Sequence, residues 1–398
     1  MISELNKSKK RVIKIGILGA ILSLALTELR LTSFFGLGEL LILLSISLYL
    51  LSIFYQKLFI KLSYLPINFV FFLFVSLFFG FITVLFFFPE IKVPKYYDEL
   101  IRASIAYVFV IINALMISSL ITDKSVLIYL LKNVLLFFSI TMLVSILLNF
   151  NSFSISLFSN IRFFGFAKNP NQLASLAIVI PFSYLYLFKE KQLSYFLGIF
   201  SSIIFLIILF VIKSDALLYS LALCLFVYAL LLFKDFSFNK KLIAIIISAL
   251  VLAGTLNEGI KFIVENNDAG GQNGVRYILW LNAYRGFLQS PFFGFGPGSF
   301  SGLIRPFQGH EAHNTFLDFL TNSGLLGFVV FVTFLFKLFL KLFLKKEIQL
   351  FLLIISMLVF SIFHNILRHP LFWVLLFSIY SFLKIHKKNA SINYNSSL

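Results

Sequence analysis

Two basic side chains in polar stretches of this chain have the types and settings that group-transfer chemistry requires. His313 stands in His310-Glu311-Ala312-His313-Asn314, directly before an apolar run. A neutral imidazole accepts a proton near pH 7. Arg276 is expected to open an amphipathic helix, whose N-terminal amides and guanidinium together favour a phosphate-like anion. The pair predicts a base beside an anion-binding cation, and the structural alternative for His313 is a helix cap or an interfacial histidine.

Metal chemistry has less support in the sequence. His310, Glu311 and His313 resemble a ligand spacing, but the second histidine comes one position too early for His-Glu-x-x-His and no third ligand is evident. The only cysteine, Cys224, lies in an apolar run. One cysteine cannot form a disulfide framework or a cysteine-based metal site. We therefore expect neither a metal nor another cofactor.

Two further stretches carry weaker signals. Gly294-Phe295-Gly296-Pro297-Gly298 predicts a tight turn, because glycine permits positive φ and close backbone approach. Lys213-Ser214-Asp215 interrupts a long apolar run. Charges at such a junction are costly unless they are functional or satisfy each other, although an ordinary polar turn between helices is the alternative.

The elements that position these residues are membrane helices. The chain has 398 residues, of which 60% are hydrophobic and 12% charged, with 54 phenylalanines. That exceeds the apolar content of soluble domains. The net charge of +17 lies in short loops rather than in a basic domain, which argues against nucleic acid as a partner and for topogenic charge and contact with anionic lipid.

Hydropathy predicts an all-α polytopic protein that forms a single membrane domain over 1–398. A span needs about 20 apolar residues. The predicted spans number about twelve: roughly 12–29, 34–56, 66–88, 100–121, 126–149, 172–188, 194–212, 214–233, 242–256, 320–344, 348–366 and 370–385.

Charge distribution predicts the orientation. Most lysines fall in loops on one side, which the positive-inside rule assigns to the cytoplasm together with both termini. Every arginine except Arg11 falls on the outer side or at an outer helix end. Two outer segments are longer than the rest, about 150–171 and 257–319. Long loops in compact proteins are usually functional or disordered, and the second, with its amphipathic helix, is expected to fold against the membrane surface.

Four motifs in order resemble the O-antigen ligase and O-antigen polymerase superfamily. His313-Asn314, nine residues and Gly324-Leu325-Leu326-Gly327 resemble its His-Asn-x9-Gly-x-x-Gly signature. Gly165 to Gln172 is similar to the Gly-x-x-x-Asn-Pro-Asn segment. Gly274-Val275-Arg276 with Trp280 looks like the family's arginine-led helix. Ser290 to Gly296 looks like its Pro-x-x-Gly-x-Gly turn.

This resemblance implies a GT-C-like, metal-independent glycosyltransferase of the bacterial inner membrane. Its donor would be an undecaprenyl-diphosphate-linked oligosaccharide, transferred en bloc at the outer face. A polymerase passes the glycan to a carrier-linked repeat, whereas a ligase passes it to lipid A-core. Membrane lipid and a chain-length regulator are the further expected partners. A transporter or flippase is the alternative, although no internal repeat is evident.

Roles follow from the resemblance residue by residue. His313 matches the histidine proposed to deprotonate the acceptor, and Arg276 matches the arginine proposed to hold the diphosphate. Positions implied in substrate or diphosphate binding also include the motif asparagines: Asn169, Asn171 and Asn314. Where the family often has a Ser-Arg or Thr-Arg pair, this chain has Ser214-Asp215.

That departure leaves the second cation open. Lys213 could substitute for the missing arginine as a point charge, or the cation could come from one of three arginines: Arg162, Arg285 and Arg305. The missing pair also favours polymerase slightly over ligase.

Overall fold

The protein folds as a bundle of helices. The computed structural model describes residues 2–29, 36–56, 65–87, 94–150, 158–159, 162–232, 272–298 and 310–395. Its helices are α1 (Ile2–Ala25), α2 (Leu37–Gln56), α3 (Ile67–Phe87), α4 (Pro94–Ser119), α5 (Lys124–Phe150), α6 (Pro170–Ala177), α7 (Ile180–Lys189), α8 (Tyr195–Ile212), α9 (Asp215–Leu232), α10 (Gln272–Gln289), α11 (Thr315–Leu344), α12 (Ile348–Ser361) and α13 (Pro370–Asn395). A short antiparallel pair joins β1 (Phe158–Ser159) to β2 (Arg162–Phe163).

Seven segments in the described residues are long and apolar enough to cross a membrane: Leu37–Tyr55, Ile67–Phe86, Leu100–Ser119, Lys124–Leu148, Pro170–Lys189, Tyr195–Ile212 and Thr315–Leu344. Three shorter apolar helices match three more predicted spans: Asp215–Leu231, Ile348–Ser361 and Pro370–Ile385. The predicted first span falls on α1, and 242–256 lies outside the described residues. The protein is thus a multi-pass membrane protein, and the total of twelve spans stays a prediction.

Ion pairs and a hydrogen bond connect several helix turns at one end of the bundle, opposite the candidate site that is described below. Lys124 pairs with Glu190 at 2.6 Å, and Lys189 pairs with Glu347 at 3.4 Å. The Lys345 ammonium donates to the Leu383 carbonyl at 2.7 Å. These turns therefore share one surface, and it is the surface that the lysine distribution assigns to the cytoplasm.

An aromatic cluster fixes α3, α11 and α13 against one another. Phe69 stacks on Phe334 with ring centroids 4.4 Å apart, and Phe319 stacks on Phe331 at 4.5 Å. Trp373 is fully buried beside them. Offset stacking of this kind stabilises a core beyond simple area burial. Large apolar side chains that face outward from α2 and α8 suit contact with lipid instead.

Helix α11 is interrupted at Gly324, which has φ 61° and ψ −168°. The predicted turn lies against this break. The amides of Phe295 and Gly296 donate to the carbonyls of Thr321 and Asn322 at 2.7 and 2.8 Å. The backbone groups that the break removes from the helix are therefore satisfied by the turn, as an apolar surrounding requires.

The turn also forms hydrogen bonds with the residues of α11 that follow the break. The amides of Leu325 and Leu326 donate to the carbonyls of Pro291 and Phe292 at 2.7 and 3.3 Å. A Cβ on Gly324 would lie 2.3 Å from the Phe292 backbone. The prediction of a tight glycine turn is confirmed, because Gly294 and Gly296 both have positive φ and approach other backbones closely.

Helix α10 corrects one expectation. It begins at Gln272, so Arg276 lies in its second turn and does not open it. Gly274 is part of the helix, because one glycine lowers helix stability by only about 1 kcal/mol and packing overrides that. The helix buries Leu279, Asn282 and Ala283 on one face, and it ends at Gln289.

Candidate active site

The junction between α8 and α9 forms one wall of the site. Helix α8 ends at Ile212, Lys213 adopts left-handed backbone with φ 49°, and α9 begins at Asp215, as the polar break predicts. The Arg162 guanidinium donates to the Ile212 carbonyl at 3.2 Å and to Asn171 at 3.5 Å. These bonds join β2, α6 and the junction into one unit.

The segment before α6 is also fixed to the end of α1. The Glu28 amide donates to the Phe166 carbonyl at 2.9 Å. Thr27 Oγ1 donates to Gln172 Oε1 at 2.8 Å and accepts from the Lys168 amide at 2.6 Å. The described part of the outer segment 150–171 therefore packs on the helix bundle where it carries Arg162 and Asn171.

His313 lies at the start of α11 in strained backbone, with φ 52°. Few non-glycine residues adopt this left-handed region, and those that do cluster at functional sites. Its neighbours hold it in place: the Ala312 amide donates to Asp318 Oδ1 at 2.9 Å, and the Asp318 amide donates to the Asn314 carbonyl at 2.8 Å. The imidazole itself reaches solvent, so the arrangement presents a side chain from a constrained backbone.

Electrostatics keep His313 neutral. Surrounding protein lowers the pKa of the imidazole below its ordinary value, and the positive charge of Arg276 and then His310 lower it further. A group depressed in this way is uncharged at neutral pH and has a free lone pair. His313 is therefore ready to accept a proton.

Arg276 stands within electrostatic range of His313, Asp215 and Arg162. Burial lowers the pKa of its guanidinium, Asp215 opposes that shift, and Arg162 adds to it. Arg276 is still a cation at neutral pH, because the ordinary pKa of a guanidinium is above about 12. Arg162, Asp215 and neutral His313 thus all lie within electrostatic range of Arg276, and two nearby guanidinium groups suit an anionic ligand.

Asp215 has a partner that the sequence did not reveal. At the position where the resemblance leads us to expect an arginine, its carboxylate instead balances the charge of Arg276. Arg162 lies within electrostatic range of Arg276, whose pKa its positive charge lowers. Of the cations considered for this role, Arg162 is therefore placed near Arg276, and its role in binding stays a prediction.

The other predicted binding residues are placed differently. Arg285 is exposed on α10, and Lys213 is exposed at the junction. Arg305 lies outside the described residues. For these three, a role in binding stays a prediction.

The three asparagines use their side-chain oxygens within the protein. Asn169 caps α6 by accepting from the Gln172 amide at 3.1 Å. Asn314 caps α11 by accepting from Phe316 and Leu317 at 3.0 and 3.1 Å. It is Asn314, and not His313, that caps this helix. Such caps stabilise helix ends by about 1 kcal/mol, and a role of the asparagines in substrate binding stays a prediction.

His364 is a site residue that sequence reasoning missed. It follows α12, and its pKa is lowered well below the ordinary value by burial first and then by Arg276, His313, His369 and Arg162. Its Nε2 is buried without a hydrogen-bond partner among the described residues. Only its histidine and arginine neighbours in space reveal it, because nothing around His364 in sequence signals a site.

Glu311 pairs with a basic side chain from another part of the chain. Its carboxylate forms an ion pair with Arg368. In the described part of the chain, no three histidine, cysteine or acidic side chains come together in a way that could hold a metal ion. Glu311 therefore links its loop to Arg368.

A comparison with known protein families finds a match, and it covers most of the residues of the candidate site. Residues 171–332 match the model of the O-antigen ligase family, a stretch that runs from Asn171 through Arg276 and His313 to the helix beyond Gly327. No curated protein matches the chain. The match supports a relation of this chain to the O-antigen ligase and polymerase superfamily of membrane enzymes.

Proposed function

We propose that this protein transfers a glycan en bloc from an undecaprenyl-diphosphate carrier at the outer face of the bacterial inner membrane, with both termini cytoplasmic. The observation that carries the proposal is neutral, conformationally constrained His313 beside Arg276 and Arg162. The family match supports the same class of lipid-linked glycan substrate. No feature of the described residues favours a transporter or flippase.

The proposed reaction needs only groups of this chain and the two substrates. His313 takes the proton of the acceptor hydroxyl, and the oxygen attacks the anomeric carbon of the donor glycan. The bond from that carbon to the diphosphate breaks, and the electron pair leaves with undecaprenyl diphosphate. Arg276 and Arg162 stabilise the charge that develops on the leaving group, so the step is proposed to be metal-independent.

We favour polymerase over ligase, with a carrier-linked repeat as acceptor and a chain-length regulator as a partner. The support is Asp215, which replaces the arginine of the ligase-associated pair and neutralises part of the charge of Arg276. The ligase alternative places the same donor on lipid A-core.

A deletion strain tests the proposal. Surface glycan that shrinks to single repeats on lipid A-core identifies a polymerase, whereas accumulated carrier-linked polymer identifies a ligase. His313→Ala should fail to restore the glycan while reaching the membrane in normal amounts. Lys346→Ala is the matched control, since Lys346 also has left-handed backbone, φ 57°, but lies at the opposite end. An unchanged glycan in the deletion strain rules the proposal out.

A further inference from the structure

The segment between α12 and α13 holds the loop that carries His313, although it lies beyond the matched residues 171–332. Two contacts reach this loop from 364–368, one on each side of His313 in sequence. The first is made by Thr315, two residues after the histidine. The second is made by Glu311, two residues before it.

Thr315 is fully buried and uses its hydroxyl twice. Oγ1 donates to the His364 carbonyl at 2.9 Å and accepts from the Ile366 amide at 3.0 Å. Both partners are backbone groups, which need hydrogen-bond partners wherever they are buried. The hydroxyl therefore joins the first residue of α11 to the segment 364–368.

Glu311 and Arg368 form the second contact, a partly exposed ion pair. Exposed pairs contribute little to folding stability, typically below about 1 kcal/mol. Their effect here is positional, because the pair ties the loop to the same segment from the other side of His313.

The segment is itself anchored in the core. Trp373 Nε1 donates to the Leu367 carbonyl at 2.6 Å, and the His369 amide donates to the Ile366 carbonyl at 3.0 Å. Trp373 belongs to the aromatic cluster of α3, α11 and α13. Rigid packing thus extends from the core to the backbone on both sides of the strained histidine.

We propose that residues 364–368 act as a clamp on the His313 loop, with Thr315, Glu311 and Arg368 as positioning residues for the base. The proposal rests on the proposed transferase function, since it assigns these residues to the orientation of the proton acceptor. None of the three contacts substrate in this scheme. They hold the left-handed backbone that sets the direction of the imidazole.

Turnover of the purified full-length enzyme with carrier-linked donor provides the first test. Thr315→Val keeps the side-chain volume but loses both hydrogen bonds, and kcat should fall about tenfold with KM changed less than about twofold. Thr315→Ser should restore kcat. Thr321→Val is the matched control on the same helix, because Thr321 Oγ1 only bonds to the Asp318 carbonyl one turn back.

Charge reversal tests the ion pair. Glu311→Arg and Arg368→Glu should each lower kcat, and the double reversal should recover most of it. Arg102→Glu, at an exposed arginine of α4, is the control for reversing an outer-face charge. A double variant as slow as the single variants, or single variants with wild-type kcat, overturns this part of the clamp.

A measurement without turnover separates the clamp from the proposed function. Histidine-labelled protein has five imidazole signals, and loss of one in His313→Gln assigns His313. Thr315→Val and Arg368→Glu should shift that signal, whereas Thr315→Ser should not. An unmoved His313 signal in every variant overturns the clamp. Wild-type protein without transfer activity, or active His313→Ala, overturns the proposed function instead.

Discussion

At the scale of single residues, the candidate site depends on charge balance around two groups. His313 is kept neutral by the surrounding protein and by nearby positive charge, and the charge of Arg276 is partly offset by Asp215. A base binds a proton more weakly in a positive electrostatic potential, whereas an anion-binding site needs that potential to be positive. Asp215 opposes the burial-induced shift of Arg276, and Arg276 in turn favours the neutral form of His313.

The coupling between Arg276 and His313 gives a prediction for pH. Arg276 is one of the causes that lower the pKa of His313, so Arg276→Gln should raise that pKa. The imidazole then becomes protonated at higher pH as the solution is acidified. NMR titration of labelled histidine in substrate-free protein measures this midpoint, and Arg276→Lys should leave it close to wild type. A midpoint that is the same in Arg276→Gln and wild type contradicts the prediction.

Asp215 is expected to weaken donor binding. Its carboxylate repels a diphosphate and competes for Arg276, so Asp215→Asn should lower KM for the donor several-fold at low salt, with a smaller effect at about 0.5 M salt because of screening. Asp123→Asn is the matched control: Asp123 caps α5 by accepting from the Ser125 and Val126 amides. It should alter thermal stability but not KM. A rise in KM for Asp215→Asn would show that its main role is to orient Arg276.

At the scale of elements, the break in α11 and the turn after α10 depend on each other. Gly324→Ala should lower the thermal midpoint in detergent by several degrees or prevent folding, because alanine is strained at φ 61° and its Cβ meets the Phe292 backbone at 2.3 Å. Gly198→Ala in α8 should be neutral, since the nearest atom there is a flexible Leu193 side-chain carbon at 3.2 Å. Equal stability of both variants would contradict the account of the break.

The sequence predicted a helix boundary correctly where the residues at the boundary themselves interrupt the apolar pattern. Lys213-Ser214-Asp215 interrupts an apolar run, and the helices end and begin there. The break at Gly324 was not predicted, because the apolar pattern continues through Leu325 and Leu326 and hydropathy does not register backbone geometry. The start of α10 was placed too late, since Arg276 was expected to open the helix and it begins at Gln272.

The candidate site was predicted in part for the same reason. His313 and Arg276 stand in recognisable motifs, and the structure brings them within electrostatic range. His364 and Arg368 could not be found in this way, because they enter the site through contacts with Thr315 and Glu311 about fifty positions away in sequence. Pairing across such a distance is set by packing rather than by local pattern.

At the scale of the whole molecule, the proposed orientation predicts which helix turns can be reached from outside the membrane. Cys224 is buried, so replacing it with alanine gives a background suited to cysteine labelling. Lys213→Cys should react with a membrane-impermeant maleimide from the outer side, and Lys346→Cys should react only after the membrane is opened. Both lysines are exposed or half-exposed at helix turns, which makes them a matched pair. Labelling in the reverse pattern would invert the proposed orientation.

The glycine turn that completes α11 also decides how parts of this protein can be exchanged with those of a relative. Residues 290–296 supply backbone donors and acceptors to 321–326, and neither stretch has a satisfied backbone without the other. A chimaera that replaces only the loop, or only the helix, would pair a turn with a break of different geometry. Functional grafts should therefore carry both stretches together as one cassette, even though about 25 residues separate them in the sequence.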